Sequence, residues 1–339
     1  MKPRVEVDFN AHDRRAFRCR KPDYCPKANE FLLNHARSGL LIALQSLELP
    51  QGSKVGVMAY NCHTVMNAVA QAGLKPVFID IDEGMRLDFN DLRKKAVGMK
   101  ALVVTHLFGI VNDVEAIQRE FPQMIVVEDC AHAFGKEIVG DFGVFSIGQG
   151  KLPSLGDGGI LTVNNSQYAD AVKGLCECLP EYSRSEENKL YVKLLLTDWL
   201  HKEWLYGLFT SRWKQRKKPQ SGREAIVAKK MSEGVKAMYA LRKDGVPEQV
   251  KRRLANAAKE AKSLQDNELV SNVLFGSNAF MLVVHTTNPA ALKAQYARRG
   301  IETATHFANS ILWAREFGYQ GDCPNAEKLR KELLMIPVY

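Results

Sequence analysis

No apolar run in this 339-residue sequence is long enough to cross a bilayer. The most apolar stretch, residues 190–218 (LYVKLLLTDWLHKEWLYGLFTSRWKQRKK), is interrupted by Lys193, Asp198, His201, Lys202 and Glu203. A spanning helix needs about 20 largely apolar residues. The opening residues, MKPRVEVDFNAHDRRAF, lack an apolar run too, which argues against a secretory signal. With 24 Gly and 13 Pro, the chain is neither collagen-like nor of low complexity. Seven cysteines (Cys19, Cys25, Cys62, Cys130, Cys176, Cys178 and Cys323) are an odd count for a disulfide framework, so reduced thiols in a cytoplasmic protein are expected. Cys176 and Cys178 have no second Cys or His pair at zinc spacing; the pair reads as structural, and no metal is expected. Acidic residues are the minority, 38 against 47 Lys and Arg, for a net charge of +9. That balance suits an anionic partner (a phosphorylated metabolite, nucleic acid or an anionic membrane) without choosing among them.

What is present is an ordinary globular composition, 46% hydrophobic and 25% charged, which excludes disorder over most of the chain. The length fits one large domain and a smaller one. Apolar, β-branched runs recur at Val55–Met58, Pro76–Ile81, Ala101–Thr105, Met124–Glu128, Gly143–Ile147 and Gly159–Val163. Amphipathic stretches lie between the early ones, at Thr64–Ala72, Asp88–Lys95 and Asp113–Glu120. Strands alternating with helices imply crossover units and a mostly parallel sheet covered on both faces. Ligands of such sheets sit at the carboxyl ends of the strands. That rule points to Tyr60–His63, Thr105–His106, Asp129–His132 and Ser146–Lys151. Residues 190–218 read as a helix packed on the core or on a second subunit, with a membrane-surface helix as the rival reading. Residues 221–339 read as a second α/β unit, with a helical stretch over Met231–Ala261 broken near Gly245–Pro247. A strand at Ala279–His285 and a helix Pro289–Arg299 closed by Gly300 follow.

Gly148-Gln149-Gly150-Lys151 is not a nucleotide loop. Phe145 and Leu152 stand where a Walker motif needs Gly and Ser or Thr, and Pro153 replaces the third Gly of the dinucleotide pattern. A different chemistry fits better. The run Val126–Asp129 delivers an acid to the sheet edge, and the next strand delivers Ser146 and then Lys151. A buried acid and a lysine on neighbouring strand ends suit pyridoxal phosphate: the amine condenses with the aldehyde, the acid keeps the pyridine nitrogen protonated, and a serine near backbone amides takes the phosphate. Without more information, an Asp and a Lys so placed also read as a structural ion pair.

Five blocks, KPVFIDID, VVTHLFG, VVEDCAHAFG, DFGVFSIGQGKLPSLGDGG and GIETATHF, resemble in order the blocks of the DegT/DnrJ/StrS aminotransferases. The ending CPNAEKLRKELLMIPVY is similar to that family's late block. The resemblance covers residues 30–165 well and 228–339 more loosely. It implies a fold-type I (aspartate aminotransferase-like) pyridoxal 5'-phosphate enzyme, with a large domain built on a mostly parallel seven-stranded sheet and a smaller C-terminal α/β domain. We place the boundary between residues 1–225 and 226–339. The implied reaction moves an amino group from glutamate to a keto-sugar, often nucleotide-linked, in a homodimer. By position, Lys151 matches the Schiff-base lysine, Asp129 the acid paired with the pyridine nitrogen, His132 the partner of the phenolic oxygen, and Ser146 the phosphate-binding serine. Ala36 and Arg37, in HARSGLLIAL, match the helix start whose amides cradle the phosphate.

Three departures from the family pattern bear on the substrate. The ring-stacking position, usually aromatic, is Cys62, so His63 or Tyr60 becomes an alternative. The family's Asn-x-Arg-Met block is Ala228-Lys229-Lys230-Met231, without the Asn. Residues 180–225 match nothing in the family. A dehydratase on the same scaffold stays open, although such relatives tend to carry His in place of Lys151. A non-catalytic regulator or scaffold also stays open. The densest basic run, Arg212, Lys214, Arg216, Lys217 and Lys218, reads as a solvated surface, as a strip steering phosphorylated substrate, or as a face toward an anionic membrane. Nucleic acid is not expected, because no recognition motif accompanies the charge.

Overall fold

The computed structural model describes residues 1–20, 24–207 and 223–339. Its centre is a seven-stranded sheet ordered β1-β7-β6-β5-β4-β2-β3. The strands are β1 Glu30–Leu33, β2 Lys54–Met58, β3 Lys75–Ile79, β4 Met99–Thr105, β5 Ile125–Asp129, β6 Phe142–Ser146 and β7 Gly159–Val163. β3, β2, β4, β5 and β6 run parallel, while β7 and β1 add an antiparallel edge. The six apolar runs are all strands. Each is buried because helices cover both faces, which leaves no polar alternation to read. β1 was not anticipated. It is a four-residue edge strand, and its partner Gly159–Thr162 lies more than 120 residues away.

Helices α1 Ala11–Cys19, α2 Ala36–Gln45, α3 His63–Gln71, α4 Phe89–Lys95, α5 Val114–Glu120 and α6 Ala169–Glu177 accompany this sheet. Two of the anticipated helix starts are caps. The Asp88 carboxylate accepts from the Asn90 and Asp91 amides (2.8 and 3.2 Å), and Asp113 accepts from the Ala116 amide (2.9 Å).

A second, antiparallel sheet orders β8 Val270–Leu274, β9 Leu282–Thr286 and β10 Leu333–Ile336 as β10-β9-β8. The long helical stretch is broken as expected, by a 3₁₀ turn at Lys243–Gly245 between helices Glu233–Arg242 and Val246–Ser263. β9 begins three residues later than expected, because Ala279 turns at φ +44° and donates its amide to Gly276 (3.0 Å). Gly300, at φ +71°, follows the end of helix Pro289–Arg298.

The unplaced segment contains α7, Arg184–Leu200, which starts earlier than the apolar pattern indicated and stops before residue 218. Its start is a capping box: Ser183 Oγ accepts from the Glu186 amide (3.3 Å), and Glu186 accepts from the Ser183 amide (2.9 Å). One face is buried through Leu190 and Leu194. Glu187 accepts from the Ser232 hydroxyl (2.8 Å) and the Glu233 amide (2.9 Å), and Asp198 accepts from the Phe9 amide (3.2 Å) and Arg14 (3.1 Å). The helix is therefore fixed to its own chain at both ends. The basic run Arg212, Lys214, Arg216, Lys217 and Lys218 lies outside the described residues. Among the described residues, no helix is long and apolar enough to cross a membrane.

Candidate active site

The carboxyl ends of the parallel strands open onto a cavity of about 430 Å³. All seven positions singled out in the sequence (Ala36, Arg37, Cys62, Asp129, His132, Ser146 and Lys151) line it. The topology explains the convergence. Asp129 and Ser146 end neighbouring strands β5 and β6, Cys62 follows β2, and α2 starts beside the entry to β7. Gly159 permits that last approach: a Cβ there would lie 2.3 Å from the Ala36 nitrogen.

Lys151 carries the cavity's reactive amine. Among the described residues its Nζ makes no hydrogen bond or ion pair, and it lies 5.2 Å from the centre of the Phe280 ring. Burial pushes the ammonium below the ordinary lysine range, with the charges of Cys62 and Asp129 opposing. A larger neutral fraction makes the amine a better nucleophile and base. The loop is held by Gly150, whose amide donates to Ser154 Oγ (2.9 Å), while Ser154 donates to the Glu6 carbonyl (3.0 Å).

Asp129 is 5% exposed. Its oxygens accept from the Ala131 amide (3.0 Å) and the Thr105 hydroxyl (3.2 Å); Thr105 accepts in turn from Asn61 (2.8 Å). Burial pushes its pKa up, against the Ala131 amide, the Lys151 charge and Thr105. A cationic N–H in the cavity would relieve that penalty. His132 accepts the Phe108 amide at Nδ1 (3.2 Å), which leaves Nε2 as the protonated donor. Its ring lies 4.2 Å from Phe280 and nearly parallel to it. Burial, then the Lys151 and His306 charges, hold its pKa well below 6.5, so the imidazole is neutral.

That neutrality has a measurable consequence. Below pH 6.5, the usual histidine value, the unfolded chain binds a proton at His132 that the folded one refuses. Stability therefore falls on acidification by about 1.4 kcal/mol per pH unit for this one group. Thermal unfolding followed below pH 6.5 should show a shallower slope in His132→Gln; an unchanged slope would refute the assignment.

The start of α2 suits an anion. Its N-cap, His35, makes no side-chain cap hydrogen bond to the helix and instead pairs with Asp157 (2.6 Å), which also accepts from Tyr182 (2.9 Å). The Ser38 and Gly39 amides donate to the His35 carbonyl (3.1 and 3.4 Å), and the Arg37 amide and the helix dipole face a ligand beside Ser146. Within this chain the lysines of the Ala228–Met231 block do not line the cavity. Lys229 pairs with Glu186 (2.5 Å) and Lys230 with Glu181 (3.0 Å).

The three candidates for the ring neighbour are placed differently. Tyr60 is fully buried and donates to the His306 carbonyl (2.6 Å), and His63 packs on Trp313 (4.9 Å); neither lines the cavity, and Cys62 does. Burial pushes the Cys62 thiol up, but hydrogen bonds from His63 and Thr64 outweigh it and leave the pKa below the usual value. Phe307, His306 and Lys193 also line the cavity and were not singled out from the sequence. His306 and Phe307 end the GIETATHF block, which was the available signal.

Among the described residues, His106, Glu128 and Cys130 form a cluster with metal-like spacing. Glu128 is already occupied by His106 (2.8 Å), Lys136 (2.6 Å) and the Val139 and Gly140 amides (2.6 and 2.7 Å). The network braces the end of β5 beneath Asp129. All seven cysteines are free thiols.

The lysine loop is also tied to α7. At Gly156, φ is +83°, and a Cβ would lie 2.1 Å from Leu194 Cδ2. Gly156→Ala combines left-handed strain with a displaced core leucine, so we expect it to destabilise the fold by about 1–3 kcal/mol. Urea unfolding measures this, and an unchanged midpoint would refute the contact.

Residues 14–339 match the model of the DegT/DnrJ/EryC1/StrS aminotransferase family. Among curated relatives, GDP-perosamine synthase of Escherichia coli O157:H7 is 30% identical over 142 residues, 39% of each chain. UDP-N-acetyl-3-dehydro-alpha-D-glucosamine 3-aminotransferase of Acidithiobacillus ferrooxidans is 30% identical over 148 residues, 40% of each chain. These matches therefore span about two fifths of the relatives' length. The aminotransferase TlmJ from Streptoalloteichus hindustanus superposes with a TM-score of 0.76 at 18% identity, covering 100% of this chain and 93% of that one, which shows the shared fold.

Proposed function

Because the chain belongs to the DegT/DnrJ/EryC1/StrS aminotransferase family, we propose that it is a pyridoxal 5'-phosphate-dependent transaminase moving an amino group from glutamate to a nucleotide-linked keto-sugar. The observation that carries this is the joint lining of one cavity by an unpaired lysine, a buried carboxylate and an uncapped helix start. These residues fit the cofactor. The α2 amides and Ser146 would hold its phosphate, Asp129 would pair with its ring nitrogen and His132 Nε2–H with its phenolic oxygen, with Cys62 in the wall of the same cavity. When bound, the cofactor supplies an aldehyde that captures amines and a ring that withdraws electrons.

The chain's own residues do the rest. Lys151, as a neutral amine, would be the base that takes the proton from the donor's α-carbon and, protonated, the acid that delivers one to the acceptor carbon that receives the amine. Asp129 stays ionised by holding a cationic N–H in place of water, and the Asn61–Thr105 chain fixes its orientation. The buried Phe280 ring beside the amine, with the half-buried Phe307 in the cavity wall, limits the access of water to it. The free thiols fit a reducing compartment such as the cytoplasm.

Visible absorption of the purified protein, before and after glutamate, tests the reading. A cofactor band that glutamate shifts to the amine form supports it. A band that glutamate leaves unmoved counts against the donor, and a protein that never takes up the cofactor is a regulator or scaffold instead. We also propose a homodimer with a symmetric interface. Sedimentation of the active protein should give a species heavier than one 38.0 kDa chain. A fully active species of that single-chain mass would overturn the dimer.

A further inference from the structure

The cavity's charge is one-sided. Among its lining residues the single carboxylate is Asp129, whereas Arg37, Lys151 and Lys193 are all cationic. The side chains of Arg37 and Lys193 make no hydrogen bond or ion pair among the described residues. The depression also continues past the cavity. A groove of about 360 Å³ shares His35 and Arg37 with it and adds Tyr182, Glu186, Lys189 and Lys229. In that groove Glu186 is taken by Lys229 (2.5 Å), so among the described residues Arg37 and Lys189 have no counter-charge.

Glu186, Lys189 and Lys193 are three and four residues apart on α7 and so share one face of the helix. The adjoining face is anchored by Leu190, Leu194, Glu187 and Asp198, as described above, and Gly156 lets Leu194 seat against the lysine loop. The two free lysines thus stand on a rigid support, about 6 Å apart along the helix axis. One carboxylate would neutralise only one of them.

We propose that Arg37, Lys189 and Lys193 form a rail for the diphosphate of the acceptor, with its carbonyl end directed to Lys151 and its far end lying in the groove beside Tyr182. The proposal rests on the transaminase reading and assigns that reaction a specificity-determining element, α7, in the segment that matched no family block. Arg37 is shared between cavity and groove, and so stands where the two compartments meet.

The test measures binding, by calorimetry, to the cofactor-loaded protein, with uridine diphosphate and inorganic pyrophosphate as probes. Each lysine contact with a phosphate oxygen is a charge-assisted hydrogen bond, so Lys189→Gln and Lys193→Gln should each weaken binding about tenfold. The double variant should also show a flatter dependence on salt. Lys193→Arg should restore most of the affinity. Both lysines are exposed and unpartnered, so the variants should fold, and borohydride-trapped pyridoxyl on Lys151 verifies that the cavity is intact. Parental affinity in the double variant overturns the rail. If pyrophosphate binding is lost while uridine diphosphate binding persists, the groove holds the nucleoside and the rail is also overturned. Failure of the transaminase reading would appear separately, as a parent protein carrying no pyridoxyl on Lys151.

Discussion

Lys151→Ala is expected to fold normally and to lose transamination by about 10²–10⁴-fold or more. Proton transfer by a positioned base is worth that much on its own, and the substitution also removes the amine that condenses with the cofactor. Stability should not fall, because the Lys151 ammonium has no hydrogen bond or ion pair among the described residues and its burial opposes the charge. The check is twofold: steady-state rate with glutamate and an acceptor, and mass spectrometry after borohydride reduction. In the parent the pyridoxyl label belongs on Lys151. A label on another lysine would move the site elsewhere.

Asp129→Asn is the second large effect. The amide keeps the shape of the carboxylate, and its one oxygen can still accept from the Ala131 amide while its NH2 turns to donate to the Thr105 hydroxyl oxygen. It cannot keep a ring nitrogen protonated, so we expect turnover to drop on the order of 10²-fold or more, as when one preorganised electrostatic group is lost. Burial already raises the Asp129 pKa, which means the ionised form carries a desolvation cost. Removing the charge should therefore leave the unfolding midpoint of the cofactor-free protein equal or higher. The combination distinguishes a chemical role from a structural one: a stable, cofactor-binding, slow enzyme fits the proposal, and near-parental turnover refutes it.

The strands and the reactive ends of the sheet could be read from the chain because their signals are local. Apolar β-branched runs separated by Asp-capped helices are legible wherever a parallel sheet is covered on both faces, and the position of Asp129 and Lys151 at consecutive strand ends follows from order alone. The Ser183–Glu186 capping box is equally local and marks the start of α7 ahead of the apolar stretch from residue 190. Burial, pairing and neighbourhood were decided by tertiary structure. β1 exists only because Gly159–Thr162, far along the chain, offers it an edge. Tyr60 and His63 sit beside Cys62 in sequence, yet the helix that begins at His63 and the buried hydroxyl of Tyr60 turn both away from the cavity, leaving a thiol at the wall. Lys193 reaches the cavity lip only because Gly156 has no side chain to hold Leu194 off, a contact between residues 38 positions apart. Sequence thus determined which chemistry the strand ends carry, through residue type and spacing. Only packing decided which side chains face the same space, because that depends on distant segments meeting.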